Sequence, residues 1–270
     1  MQQAAIEGIA HPTDFSEASA EAFAHALRLA LAFRCRLDLL HVRFPGHAEW
    51  ASFPHVRETL ERWGFSDANA AGSEAPEKPA IEVRHVEIES ASPLEGVAEF
   101  LLSHRPGLVV MATHGASGLS RLISGSVSEG IAQRTRLPAM FFGPKARPFV
   151  DAKTGRLHLK NALVPVAAEP SPKRALLLLR HLFGTLGLKQ RYVHVGDAPF
   201  ALAGPAGEPL DVGILQGPVV EAILSAANTF LADLVVMPTA GHHGFLDALR
   251  GSTTEQVLHR ALCPVLALPA

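Results

Sequence analysis

Two glycine-rich segments have the residue types and spacing with which a protein backbone can bind an anion. Both follow the pattern Gly-x-x-Gly-x6-Gly-Ser, as Gly115-Ala-Ser-Gly118 with Gly125-Ser126 and as Gly241-His-His-Gly244 with Gly251-Ser252. Glycines let backbone N–H groups approach a phosphate without interference from side chains. The helix that each Gly-Ser pair opens would add unpaired N–H groups and a partial positive charge. The same glycines also suit a purely structural turn, so the pattern alone leaves both roles open.

These segments lie within a long internal repeat. Residues 107–142 align with residues 233–268 without a gap, and 12 of the 36 positions are identical. Nearer the N-terminus the offset between the copies is larger, because Val42 aligns with Val195. The difference between the two offsets predicts that the second copy lacks 27 residues, which amount to a helix and a loop. A repeat of this length indicates a duplicated domain.

Within each copy, short apolar runs alternate with segments of helical periodicity. The predicted strands are Gly8–His11, Leu37–Val42, Ile81–Ile88, Leu108–Met111 and Ala139–Phe142, then Leu163–Val166, Tyr192–Val195, Val212–Leu215, Leu234–Met237 and Val265–Leu268. The predicted helices are Ser16–Ala32, Trp50–Trp63, Pro93–His104 and Gly125–Arg134, then Ser171–Leu186, Pro218–Leu231 and Ser252–Arg260. This alternation predicts an α/β fold of two tandem doubly wound domains, each with a parallel five-stranded sheet.

The repeat also sets the domain boundaries. We expect one domain at residues 1–145, a linker at 146–160 and a second, shortened domain at 161–270. Within the linker, Asp151-Ala-Lys-Thr-Gly155 is a turn sequence and indicates a small β-hairpin.

The ligand site of a doubly wound sheet lies beyond the carboxyl ends of the strands, where strand order reverses. We expect this reversal between the first and fourth strands of each copy. The first strand ends at Pro12-Thr13-Asp14, and the fourth runs through Met111 to Thr113-His114. Asp14 would face the glycine segment there and could accept hydrogen bonds from ribose hydroxyls or an adenine amino group. A turn or helix-cap role for Asp14 fits the sequence equally well.

Other sequence features argue against a P-loop, a Rossmann site, a metal site and a nucleophilic cysteine. Neither glycine segment contains the lysine of a P-loop, and neither follows the first strand as a Rossmann fingerprint does. The 14 histidines show no metal-ligand spacing, so no metal site is predicted. His41 and His194, at matched strand ends, predict a recurring polar contact. Cys35 and Cys263 are interpreted as packed small residues rather than nucleophiles. No catalytic residue is assigned.

Composition narrows the function classes further. The chain has 270 residues and a net charge of -2, without the positive excess that nucleic-acid or membrane-surface binding needs. A hydrophobic fraction of 48% is sufficient for a sizeable core. The two cysteines argue against a disulfide-based scaffold, and no apolar run has the roughly 18 residues that a spanning helix requires. We expect a cytoplasmic protein without a signal peptide.

Asp14, Gly115-Ala-Ser-Gly118 and Gly125-Ser126 together resemble the universal stress protein family, as does Leu137-Pro138 before a last apolar strand. The resemblance extends over both copies, so the chain is identified as a tandem two-domain member. It implies the strand order 3-2-1-4-5 and pairing of the copies through their fifth strands as an intramolecular pseudo-dimer, with homodimerisation left open. It also implies that ATP or another adenine nucleotide binds at the reversal point, with or without Mg²⁺.

The resemblance further implies which residues bind the nucleotide. Asp14 would contact adenine or ribose, the backbone of Val42 would meet adenine, and the glycine segment would hold the ribose and phosphates. The full predicted site consists of Pro12, Thr13, Asp14, Val42, Met111, Thr113, His114, Gly115, Gly118, Gly125, Ser126, Val127 and Ser128.

The second copy departs from this pattern. Asp14 aligns with Ala167, and Glu169, two residues later, is only a candidate substitute. Histidines 242 and 243 fill the variable positions of the glycine segment. The predicted second site consists of Val195, Gly241, Gly244, Gly251, Ser252 and Thr253. We therefore expect nucleotide binding mainly in the first copy.

Three functions fit these features. The first is a stress-response regulatory protein that binds an adenine nucleotide. The second is a slow ATPase or adenylyl-transferring enzyme that uses the same loop. The third is a scaffold that binds no nucleotide and acts through contacts with a regulatory partner. The first is favoured, because no catalytic lysine or carboxylate pair is identified near the phosphates.

Overall fold

The structure, a computed structural model, describes residues 6–43, 50, 53–65, 81–113, 127–239 and 252–270. The strands are β1 (Gly8–Pro12), β2 (Arg36–Arg43), β3 (Val83–Glu89), β4 (Leu108–Ala112), β5 (Ala139–Phe142), β6 (Asn161–Pro165), β7 (Lys189–Val195), β8 (Leu202–Ala203), β9 (Pro209–Leu210), β10 (Val212–Leu215), β11 (Leu234–Thr239) and β12 (Val265–Pro269). The helices are α1 (Glu17–Phe33), α2 (Val56–Arg62), α3 (Pro93–His104), α4 (Val127–Thr135), α5 (Lys173–Phe183), α6 (Val219–Thr229) and α7 (Thr253–Arg260). A 3-10 turn, Gly184–Leu186, follows α5.

Ten of these strands form one continuous sheet. Its order is β10-β7-β6-β11-β12-β5-β4-β1-β2-β3, so each half has the predicted order 3-2-1-4-5. The pairs within each half are parallel. The fifth strands of the two halves, β5 and β12, pair antiparallel, with Leu266 opposite Met140. We call this pairing the β5–β12 joint.

Helices cover both faces of the sheet. On one face α1 and α5 pack over apolar side chains that include Phe23 and Phe183. On the other face α3, α4, α6 and α7 cover a second apolar cluster, to which Val97 and Val257 belong. Strands buried on both faces are apolar almost throughout, as β4 and β12 are. Within the part of the chain that the structure describes, no helix is both long and apolar enough to cross a membrane.

The copies differ between their second and third strands. Within the predicted helix Trp50–Trp63, the structure has the shorter helix α2, Val56–Arg62. At the corresponding place the second copy has β8 and β9, a two-stranded antiparallel ribbon. The pattern of apolar residues did not predict this ribbon, because strands of two residues are too short to show a period.

The segment between β5 and β6, which contains the predicted linker, is held against the first copy. An antiparallel bridge joins Val150 to Leu157, and Gly155 takes a left-handed conformation with φ +66°. The buried ring of His25 on α1 accepts hydrogen bonds at Nε2 from the N–H groups of Phe149 (3.1 Å) and Val150 (3.2 Å). Burial lowers the pKa of His25 to about 4, so this ring is neutral at pH 7 and can act as an acceptor.

Candidate functional site

The end of β1 presents Asp14 at the point where strand order reverses. The Thr13 N–H donates to the Leu40 carbonyl (2.8 Å), which prolongs the pairing with β2. Phe15 then takes a left-handed conformation with φ +63°, which turns the chain towards α1. Asp14 is exposed, and its Oδ1 accepts a hydrogen bond from the Ser16 N–H (3.0 Å). This turn holds the Asp14 carboxylate at the carboxyl edge of the sheet.

A buried polar network fixes this turn from below. Thr13 Oγ1 accepts hydrogen bonds from the Phe15 N–H (3.0 Å) and from Ser19 Oγ (2.8 Å). Ser19 Oγ also lies 3.4 Å from Nε2 of the fully buried His11. The other ring nitrogen of His11, Nδ1, donates to the Val110 carbonyl (2.8 Å) and so connects β1 with β4. We call His11, Ser19 and Thr13 the His11 network.

Burial makes His11 a neutral group. It lowers the pKa of His11 to about 4, although the hydrogen bond to the Val110 carbonyl and the charge of Asp14 act in the opposite direction. A carbonyl can only accept, so Nδ1 carries the ring proton and the neutral ring has no proton on Nε2, which lies beside Ser19 Oγ. The His11 network is therefore a positioning device for the turn that carries Asp14.

A histidine at the end of the second strand makes the same contact in both copies. His41 Nδ1 donates to the Thr13 carbonyl (3.0 Å), and His194 Nδ1 donates to the Val166 carbonyl (2.9 Å). This confirms the predicted recurring polar contact. An aromatic ring stacks on each histidine, with centroid distances of 4.1 Å from His41 to Phe15 and 4.6 Å from His194 to Phe200.

Two neighbouring residues of the predicted site have their side chains in the core. Met111 and Val42 are 2% and 7% exposed, so their side chains belong to the core. Thr113 continues the pairing of β4 with β5, because its N–H donates to the Phe142 carbonyl (3.1 Å). The two cysteines are buried as predicted, and burial raises the pKa of Cys35 to about 11 and that of Cys263 to about 12.

The glycine segments themselves fall largely outside the described residues. This applies to His114, Gly115, Gly118, Gly125, Ser126, Gly241, Gly244 and Gly251. Beyond the first segment, Val127 is half-exposed and Ser128 is buried at the start of α4. Beyond the second, Ser252 Oγ accepts from the Glu255 N–H (3.1 Å) and caps α7, in which Thr253 is the first residue.

The second copy has none of the polar side chains of the His11 network. Its equivalent positions hold Val164, Val166 and Pro172, and Ala167 stands in the place of Asp14. Val195 is half-buried at the end of β7, and Glu169 is exposed. The two reversal points therefore share a backbone but differ in polarity.

Two groups of polar residues were missed from the sequence. Of the His11 network, Thr13 was predicted as a site residue, whereas His11 and Ser19 were missed, because a histidine in an apolar strand does not reveal its hydrogen-bond partner. Glu129 and Glu255 occupy aligned positions of the repeat, and the sequence gives no sign that the structure brings both residues close to His259. The available signal was the change from His11, Thr13 and Ser19 to apolar residues in the second copy.

The fold and the reversal points define a class, that of a tandem doubly wound α/β protein with a candidate ligand site beyond β1 and β4. The sequence model of the universal stress protein family matches residues 7–142 and 200–269. The chain belongs to the universal stress protein family.

Similarities to curated sequences and to a solved structure are consistent with this family. The chain is 29% identical over 133 residues to universal stress protein MJ0531 of Methanocaldococcus jannaschii, a match that covers 48% of this chain and 77% of the relative. It is 34% identical over 129 residues to a universal stress protein of Thermus aquaticus, covering 43% and 93% of the two chains. The crystal structure of a universal stress protein from Archaeoglobus fulgidus has the same fold, with a TM-score of 0.66 at 22% identity over 97% of this chain and 96% of that one.

Proposed function

We propose that this protein is a cytoplasmic stress-response regulator that binds ATP or another adenine nucleotide, mainly in its first copy. The observation that carries the proposal is the end of β1. There an exposed carboxylate, Asp14, is held beside a buried polar network at the reversal point, whereas the second copy has Ala167 and apolar residues. Buried polar groups cost free energy, so a network that the second copy folds without favours a functional role.

The chemistry of the proposed site follows from its groups. The Asp14 carboxylate accepts hydrogen bonds from ribose or from the adenine amino group. The backbone of Val42 meets the adenine base. The N–H groups of the glycine segment and the start of α4 bind the phosphates. Mg²⁺ would stay with the phosphates and keep several water ligands, as it does in most nucleotide sites.

The proposal includes the domain arrangement. Residues 1–145 and 161–270 act as two domains joined by the linker at 146–160, and they form an intramolecular pseudo-dimer about the β5–β12 joint. The antiparallel pairing of β5 with β12 supports this arrangement. Whether two chains also associate is a separate question, which sedimentation can answer.

The experiment is a calorimetric titration of ATP into the wild type and two matched variants. Gly118→Val blocks the first glycine segment with a side chain, and Gly244→Val places the same group at the aligned position of the second. We expect one site per chain and an affinity at least about tenfold weaker for Gly118→Val, because a valine keeps the phosphate from the backbone N–H groups. Gly244→Val should bind like the wild type.

Equal affinity in the wild type and Gly118→Val would overturn the site assignment. Loss of binding in Gly244→Val alone would move the site to the second copy. Circular dichroism of each variant checks that it is folded. Mass spectrometry of small molecules released by denaturation then identifies the nucleotide, and product analysis after prolonged incubation detects any hydrolysis.

A further inference from the structure

The β5–β12 joint brings equivalent acidic residues of the two copies together. Glu129 lies in the first turn of α4 and Glu255 in the first turn of α7, at aligned positions of the repeat. These helices lead into β5 and β12, which pair antiparallel. Both residues are buried, with 1% and 9% of their surface exposed.

An imidazole completes the group. His259 follows Glu255 by one turn on α7, and its Nε2 lies 3.3 Å from Glu129 Oε1. One ligating atom from each of the three residues lies within 4.8 Å of the other two. The His259 side chain is 47% exposed, which gives solvent and ions a way in.

A group of two buried carboxylates and one imidazole suits a divalent cation. Negative charge is costly to bury, and a divalent cation lowers that cost for both carboxylates at once. A neutral imidazole is the form in which histidine binds metals.

The ligand atoms and their spacing select the type of cation. Zinc binds histidine nitrogen and carboxylate oxygen at about 2.0–2.2 Å with tetrahedral geometry, which puts two of its ligands about 3.4 Å apart. The distance of 3.3 Å between His259 Nε2 and Glu129 Oε1 is compatible with this spacing, and the choice of zinc rests on the mixed nitrogen and oxygen ligands. Mg²⁺ and Ca²⁺ prefer oxygen ligands alone.

We propose that Glu129, Glu255 and His259 form a Zn²⁺ site that links α4 to α7 across the β5–β12 joint. Water takes the fourth position. One site forms per chain, because Gln133 occupies the position in α4 that His259 occupies in α7. The site shares no residue with the proposed nucleotide site, and Zn²⁺ binding is measured without nucleotide, so failure of one proposal can be distinguished from failure of the other.

The test is a titration of Zn²⁺ into chelator-stripped, nucleotide-free protein. We expect one tight site per chain, a higher melting temperature with Zn²⁺, and no competition from a large excess of Mg²⁺. Co²⁺ in place of Zn²⁺ should give the intense visible absorption of tetrahedral coordination. His259→Gln and Glu129→Gln should each weaken Zn²⁺ binding at least about tenfold, because each removes one of three protein ligands.

Two histidine variants serve as controls. His158→Gln removes an exposed imidazole of the linker, and the double variant His242→Gln/His243→Gln removes the adjacent pair in the second glycine segment. Both should keep the tight site. Equal Zn²⁺ affinity in the wild type and His259→Gln would overturn the proposal, as would a tight site that disappears with His242 and His243. Because His259 is half-exposed, its variant should fold even if Glu129→Gln does not.

Discussion

The ends of β1 and β6 are equivalent in backbone and opposite in chemistry. Each accepts a hydrogen bond from the histidine that follows it on the next strand, at 3.0 Å in the first copy and 2.9 Å in the second. Around that shared bond, the first copy has His11, Ser19 and Asp14, whereas the second has Val164, Pro172 and Ala167. The fold therefore does not require the polar groups of the first copy, which makes them the better guide to its function.

The same contrast extends to the linker. His25, which holds the linker through two backbone N–H groups, aligns with Leu178 in the second copy. Arg28 Nε adds a hydrogen bond to the Gly155 carbonyl (2.9 Å), and the Trp63 indole N–H donates to the Ala152 carbonyl (3.0 Å). The linker thus contacts the first copy. Experiments on the stability of the first copy therefore report on its two buried histidines and on these linker contacts.

Lowering the pH should have the largest effect on the free energy of unfolding, and it should act through the two buried histidines of the first copy. The pKa values of His11 and His25 are about 4 in the folded protein against 6.5 for an ordinary histidine. Between these pH values the unfolded state binds more protons than the folded state. The two histidines therefore make their full contribution to the free energy of unfolding above pH 6.5, and this contribution is lost as the pH falls towards 4. Each shift corresponds to about 3 kcal/mol of unfolding free energy.

Urea unfolding at several pH values measures this loss. Both tryptophans, Trp50 and Trp63, lie in the first copy, so their fluorescence reports on that copy. His11→Val, which installs the residue of the second copy, should reduce proton uptake on unfolding by about one proton between pH 6 and 4.5. An unchanged pH dependence in this variant would show that His11 is not the responsible group.

The next largest loss of stability should come from adding a side chain at Gly155. A Cβ there would lie 2.5 Å from the Trp63 ring, and the residue has φ +66°. We expect Gly155→Ala to cost about 3 kcal/mol, from left-handed strain and overpacking combined.

Gly187 provides the matched control in the second copy. Its φ is +64°, and a Cβ there would meet no atom within 4 Å. Gly187→Ala should therefore cost only the strain, about 1 kcal/mol. Thermal and urea unfolding of both variants give the comparison, and equal costs would show that the contact between linker and Trp63 is not tight.

The smallest effect should come from the cap of α1. Ser16 Oγ accepts a hydrogen bond from the Ser19 N–H (3.2 Å), whereas α5 begins after Pro172 with no side-chain cap. Ser16→Ala should destabilise the protein by about 1 kcal/mol in urea unfolding, and Ser171→Ala by less than about half of that. A larger loss in Ser171→Ala would reverse the contrast between the two helix starts.

Much of the fold could be predicted from local pattern. Strands Ala139–Phe142 and Val212–Leu215 and the helix Pro93–His104 agree with the predicted bounds. The helix begins after Ser92, whose side chain accepts from the Glu95 N–H, and with a proline in its first turn. Such signals lie within a few residues of each other and need no knowledge of the rest of the chain.

The remaining features depend on contacts between distant residues. His11 bonds the Val110 carbonyl 99 residues away, and Glu129 meets His259 only because β5 and β12 pair antiparallel. No local period encodes either contact. The glycine pattern, by contrast, is a local signal, and it predicted the candidate site from the sequence alone.

The β5–β12 joint has a consequence for how the protein behaves on dilution. Pairing between two strands of one chain is governed by a fixed effective concentration, whereas pairing between separate chains weakens as the protein becomes scarce. The joint also occupies the outer edges of β5 and β12, so neither is left to capture a foreign strand. A cell could therefore hold this protein at very low copy number without losing the pairing of its two halves.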